Sequence, residues 1–142
     1  MLRRSVWFAL LACGLGLPPQ SLAEPVRVFA GTAHDALYGL CLDGQRGIAV
    51  GSSGFVLESA DGGQSWTPGQ SFSESALLDV SCSAGSTLIV GQQGAIFRSE
   101  DGVFKAVDSG TDARLLGVDN SSDGLAFAVG SFGTILRSRD DG

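Results

Sequence analysis

Three aspartates return at nearly even spacing, Asp61, Asp101 and Asp140, 40 and 39 residues apart. Carboxylates in series can move protons or hold a cation. Each of these, however, closes a Ser-x-Asp triplet that opens at Ser59, Ser99 or Ser138. Each triplet in turn follows a Val-Gly-x-x-Gly segment, starting at Val50, Val90 and Val129. A residue that recurs once per repeat on the same turn serves the repeat, so these acids read as structural rather than catalytic. The single histidine, His34, lies in a polar linker without partners at metal-ligand spacing, and no metal site is expected. The single tyrosine, Tyr38, sits in a strand pattern and reads as core. The glycine-rich turns are not phosphate cradles, because no helix N-terminus follows them. Arg98 and Arg137 each precede the Ser of a triplet and are expected side by side on consecutive repeats. Such a pair can grip a carboxylate or an acidic tail. Against that stand a solvated reading, a pairing with Glu100 or Asp140, and Glu58 in the first repeat, which breaks the row.

The elements that must position these residues are short strands. In the first repeat they are expected over 37–42, 47–50, 55–59 and around 65–67, with turns at Asp43-Gly44 and Asp61-Gly62-Gly63. The second repeat gives 77–82, 87–90, 95–99 and 104–107, and the third 115–119, 125–129 and 134–138. Strands this short, punctuated this regularly, with no helical period, predict an all-β chain. Four antiparallel strands in a unit of about 40 residues describe the blade of a β-propeller. The domain plan is a leader over 1–23, a strand (Val26–Phe29) and linker over 24–36, and repeats over 37–76, 77–114 and 115–142. The third repeat stops before a fourth strand. Three blades cannot close a ring, so the sequence reads as the N-terminal portion of a larger propeller. Alone, residues 24–142 are expected to aggregate or to melt without cooperativity.

Arg3 and Arg4, the apolar run 6–17 and the small residues of Ser21-Leu22-Ala23 read as a signal peptide cleaved before Glu24. The run is too short to span a membrane. Leu10-Leu11-Ala12-Cys13 offers a second reading, a lipoprotein anchored at Cys13, with soluble export preferred. Losing the leader takes the net charge from −6 to −8, which disfavours nucleic acid and anionic membrane as partners. Cys41 and Cys82 remain. Counted from the Val-Gly pairs they fall on opposite faces of their sheets, so in stacked sheets both face the shared interface or both face away. Two small buried hydrophobes is the preferred reading over a disulfide.

Ser59-Ala60-Asp61-Gly62-Gly63-Gln64-Ser65-Trp66 fits the Asp-box. There the carboxylate accepts hydrogen bonds from loop N–H groups, Gly63 tolerates a positive φ, and Trp66 covers the turn. The second copy has Val103 for the Gly and Ala106 for the Trp. The assembled repeat resembles the BNR/Asp-box proteins, and among them the photosystem II assembly and stability factors and their bacterial relatives. That resemblance implies a seven-bladed, exported, non-enzymatic scaffold that binds a protein or peptide of a membrane complex, with no cofactor. It places the protein in the periplasm, or in the thylakoid lumen of a photosynthetic host. The alternative is a sialidase-like glycoside hydrolase. Resemblance to that class asks for an arginine triad and a Tyr-Glu pair, which the scattered arginines and Tyr38 do not supply here, so on this alternative the catalytic groups lie in a C-terminal part outside this sequence.

Overall fold

The computed structural model describes residues 24–83, 85–100, 102–140 and 142. Eleven strands form three antiparallel sheets, each a meander in chain order. The first holds β1 (Leu37–Asp43), β2 (Arg46–Gly51), β3 (Val56–Ser59) and β4 (Thr67–Pro68). The second holds β5 (Leu77–Ser83), β6 (Ser86–Gly91), β7 (Ile96–Glu100) and β8 (Val103–Val107). The third holds β9 (Leu115–Asn120), β10 (Ala126–Gly130) and β11 (Ile135–Ser138). These are the expected blades, four-, four- and three-stranded. The fourth strand of the first blade is shorter than expected, two residues, and ends at Pro68, which has no N–H to extend a ladder. Among the described residues no helix is long and apolar enough to cross a membrane.

The blades stack face to face because their second strands are apolar on both sides. Ile48 and Val50 of β2, with Val56, pack against Leu77, Val80 and Ile89 of the next blade. Val90 packs with Leu115 and Ala128 across the following interface. Leu57, Leu77, Ile89 and Leu115 are fully buried, each contributing about 1.5–3 kcal/mol.

The turns that join second to third strands share one end of the molecule with the linkers between blades. Ser52 N donates to Ala36 O at 2.8 Å, Gln92 N to Ala76 O at 3.1 Å and Ser131 N to Arg114 O at 2.8 Å. In the first two turns the second glycine of Val-Gly-x-x-Gly is fixed by this packing. A Cβ on Gly54 would lie 1.7 Å from Ser73 O, and one on Gly94 1.7 Å from Thr111 O. The residue before it is also left-handed in all three turns, Ser53 (φ 50), Gln93 (φ 56) and Phe132 (φ 60). The periodicity therefore encodes a two-residue left-handed turn apex, a detail beyond the Gly-bounded turn expected.

Three expectations need correction. Val26–Phe29 is not a strand: it finds no neighbouring ladder, and a strand exists by its partner's hydrogen bonds. Phe29 rests instead near Phe55, with ring centroids 6.4 Å apart. Tyr38 is 53% exposed rather than core, because β1 is exposed at Leu37, Leu40 and Leu42 as well. Cys41 and Cys82 are joined as a disulfide rather than standing as separate buried thiols. Both cysteines face the shared interface, and stacking brings their Cα atoms to 5.8 Å, within disulfide reach. The leader over 1–23, with Cys13, lies outside the described residues.

Candidate functional site

The Ser59–Trp66 loop shows how its acid is used. Asp61 accepts from Ser65 N at 2.9 Å, from Ser65 Oγ at 2.6 Å and from Ser59 Oγ at 2.8 Å. Ser59 Oγ in turn accepts from Gly63 N at 2.9 Å, while Trp66 Nε1 donates to Gly63 O at 3.0 Å. The serine thus carries as much of the turn as the aspartate. Donation by the Ser65 hydroxyl, then by the Ser65 N–H and the Ser59 hydroxyl, holds the Asp61 carboxyl down at about 2. A carboxylate so saturated with donors from its own loop is poorly placed for proton transfer at neutral pH.

The third loop begins the same way. Gly142 N donates to Ser138 Oγ at 3.0 Å, Asp140 N donates to it at 3.2 Å, and Ser138 Oγ donates to Asp140 Oδ1. In the second loop Ser99 lies in β7, and Asp101 lies outside the described residues. In the second blade Phe104, opposite Ser99, and not the expected Ala106, fills the place of Trp66; it lies 4.6 Å from Phe72 and is stacked on it.

The two arginines have different surroundings. Arg98 Nη1 donates to Asp140 O at 3.0 Å and Gly142 O at 3.3 Å, joining the second blade to the third. Arg137 is exposed and stands on the wall of a cavity of about 210 Å³ between those blades. Leu88, Val90, Ile96, Val118 and Leu136 make that cavity apolar. A second, open and polar cleft of about 410 Å³ lies at the turn end, between Gln93 and the linker carrying Asp108 and Asp112. His34 is exposed in the turn 32–35. Among the described residues no group of three or more His, Cys, Asp or Glu is gathered to hold a metal.

Sequence reasoning missed the polar clasps between blades. Asp79 Oδ2 accepts from Val118 N at 2.9 Å, and Asp43 Oδ2 from Gly85 N at 3.0 Å. Ser81 Oγ donates to Asn120 Oδ1 at 2.7 Å and accepts from Asn120 N at 3.2 Å. One signal was available: Asp79 stands opposite Val90 at the strand position that is Gly39 and Gly117 in the other blades. A carboxylate at a position otherwise held by glycine marks a special contact.

No family model matches the chain, and no curated protein does. Solved structures do match its fold. One, "YCF48 bound to D1 peptide", shares 23% identity at a TM-score of 0.67. Another, YCF48 from Cyanidioschyzon merolae, shares 24% at a TM-score of 0.65. Each match covers 76% of this chain and 38% of the other, so the chain spans well under half the length of these structures. At this identity the likeness shows the fold, a β-propeller.

Proposed function

We propose that this chain belongs to an exported, non-enzymatic β-propeller that binds an extended polypeptide, in the manner of the photosystem II assembly factors and their bacterial relatives. The observation that carries the reading is the matching propeller whose structure holds a peptide. Export is supported by Arg3, Arg4 and the cleavage pattern ending at Ala23, and the proposed location is the periplasm, or the thylakoid lumen in a photosynthetic host. The non-enzymatic role is supported by Asp61, whose oxygens are taken by its own loop. The Ser59–Trp66 loop serves as an Asp-box, a hairpin device rather than a reaction site.

Within the described surface Arg137 is the group offered to the partner. It is exposed beside an apolar cavity, so it can pair with a carboxylate whose neighbouring side chain enters the cavity. Arg98 acts as an interblade clasp instead. The reading is tested by fluorescence anisotropy against an arrayed library of extended peptides, including acidic C-termini. At least one peptide is expected to bind in the micromolar range, and Arg137→Glu to weaken it about tenfold, or roughly 1.4 kcal/mol. Failure of every peptide to bind below about 1 mM would overturn the proposal.

A further inference from the structure

The Cys41–Cys82 bond joins β1 of the first blade to β5 of the second. Cys41 pairs across its own sheet with Ile48, and the matching residue of the second blade, opposite Leu88, is Ser81. Cys82 lies opposite Thr87, and the matching residue of the third blade, opposite Ala126, is Asn120. The place taken by a disulfide in the first interface is therefore taken in the second by the Ser81–Asn120 hydrogen bonds. The same strand geometry closes without a covalent bond. The first interface also has its own apolar filling, in which Phe72, Phe97 and Phe104 pack beside the core cluster. The disulfide is thus surplus to what this geometry needs for closure.

Its two sulfurs are not equivalent. Thr87 Oγ1 donates to Cys82 Sγ at 3.8 Å, a long contact to a weak acceptor. The corresponding residues of the other blades are Gly47, opposite Leu42, and Ala126, opposite Asn120, so this hydroxyl is particular to the disulfide. Both cysteines are half-buried at the shared interface.

We propose that Cys41–Cys82 is a directed thiol–disulfide exchange site, a redox latch on the first blade interface that accepts electrons from a dithiol. This inference stands independently of peptide binding. The thiolate of the dithiol attacks Cys41 Sγ and forms a mixed disulfide there. The Cys41–Cys82 bond breaks, and Cys82 leaves with the electron pair as a thiolate held by the Thr87 hydroxyl, then takes a proton from water. The second thiol of the reagent attacks the reagent's own sulfur in the mixed disulfide. Cys41 is released as a thiolate, and the reagent departs as a cyclic disulfide. The protein gains two electrons and the dithiol loses two. A leaving sulfur that is better stabilised as thiolate leaves faster, which fixes the direction of attack. The reduced blades stay stacked as the second and third do, with a looser interface.

The test is exchange of the oxidised, native full chain with glutathione, followed by acid quench, alkylation and peptide mass spectrometry. Cleavage at Arg27, Arg46 and Arg98 puts Cys41 and Cys82 on separate peptides. Glutathione is expected mainly on Cys41, with Cys82 alkylated. Reduction by dithiothreitol should proceed without denaturant and leave the far-UV circular dichroism β-rich, with a lower melting temperature. Thr87→Val should slow that reduction several-fold and erase the preference for Cys41, whereas Thr87→Ser should retain both. Glutathione spread equally over the two sulfurs, reduction that requires denaturant or collapses the β signal, or a Thr87→Val chain reduced at the native rate would each overturn the proposal.

Discussion

The two blade interfaces are built on the same strand positions and held by different chemistry. The first has the disulfide where the second has Ser81 and Asn120. Its linker sends Phe72 inward onto Phe97 and Phe104, with ring centroids 4.9 and 4.6 Å away. The next linker follows the same path, Ser109 Oγ bonding Thr111 O as Ser71 Oγ bonds Ser73 O, but the residue between them is Gly110. Phe97, opposite Ile89, is matched by Leu136, opposite Ala128. Smaller side chains at matched positions leave a cavity of about 210 Å³ in the second interface. The second interface recovers cohesion through polar groups instead: Asp79 on Val118 N, and Arg98 on the carbonyls of Asp140 and Gly142. It also leaves the buried Ser86 hydroxyl without a hydrogen-bond partner among the described residues. A repeat thus fixes the path of the backbone, and each interface then solves its own packing problem.

The comparison breaks most visibly at the disulfide. The bonded cysteines are 41 residues apart, for which loop entropy predicts about 4 kcal/mol of stabilisation. Cys82→Ala should therefore lower the denaturant midpoint more than Phe72→Ala or Asn120→Ala does. If the positions are equivalent, Cys41→Ser with Cys82→Asn installs the second interface's pair in the first and recovers about 1 kcal/mol over Cys82→Ala. Equal midpoints for the two variants would show that the matched positions are not interchangeable.

Packing comes next. Phe72→Ala empties the centre of the aromatic cluster and should cost about 3 kcal/mol, the lower end for a buried phenylalanine, because Phe72 is only partly buried. The variant should open a cavity between the first two blades like the one between the second and third, detectable by binding of an apolar dye. Asn120→Ala tests the polar side of the contrast. It strips Ser81 Oγ of the partner to which it donates and should cost about 2 kcal/mol, with urea denaturation as the measure.

How much of this was legible follows from what repeats and what does not. The blades and their meander came from Val-Gly-x-x-Gly and Ser-x-Asp, because a backbone with left-handed apices at Ser53, Gln93 and Phe132 must be encoded locally each time. The interfaces were not legible, because they join positions about 40 residues apart whose pairing depends on the stagger between sheets. Placing Cys41 and Cys82 on opposite faces left two stackings open, and nothing local chooses the one in which the thiols meet. Asn120 and Phe72 carry no motif at all. Tyr38 misled because strand alternation marks two faces without saying which one is covered. Arg98 and Arg137 share a repeat position, yet one is turned to main-chain carbonyls of the next blade and the other stands exposed beside a cavity.

The smallest effect separates hairpins from interfaces. Asp61 touches neither interface clasp: its partners are Ser59 and Ser65 of its own loop. Its carboxyl is held at about 2, against an ordinary 3.8. A group depressed in the folded state gives its full stabilisation above the unfolded value and loses it as pH falls through the folded one. Asp35, held down chiefly by the Thr32 N–H, and Asp123, held down chiefly by the Ser121 hydroxyl, act in the same direction. Between pH 5 and 4 stability should therefore stay level on account of these groups, and from about 3.8 to 2 it should fall. Asp61→Asn should flatten part of that acid limb while leaving the effects of Cys82→Ala and Phe72→Ala unchanged, since the sites share no partner. Acid titration of the melting temperature in the three backgrounds reads this directly. An acid limb untouched by Asp61→Asn would move the pH dependence from the hairpin to the interfaces, and with it the division of labour between the two.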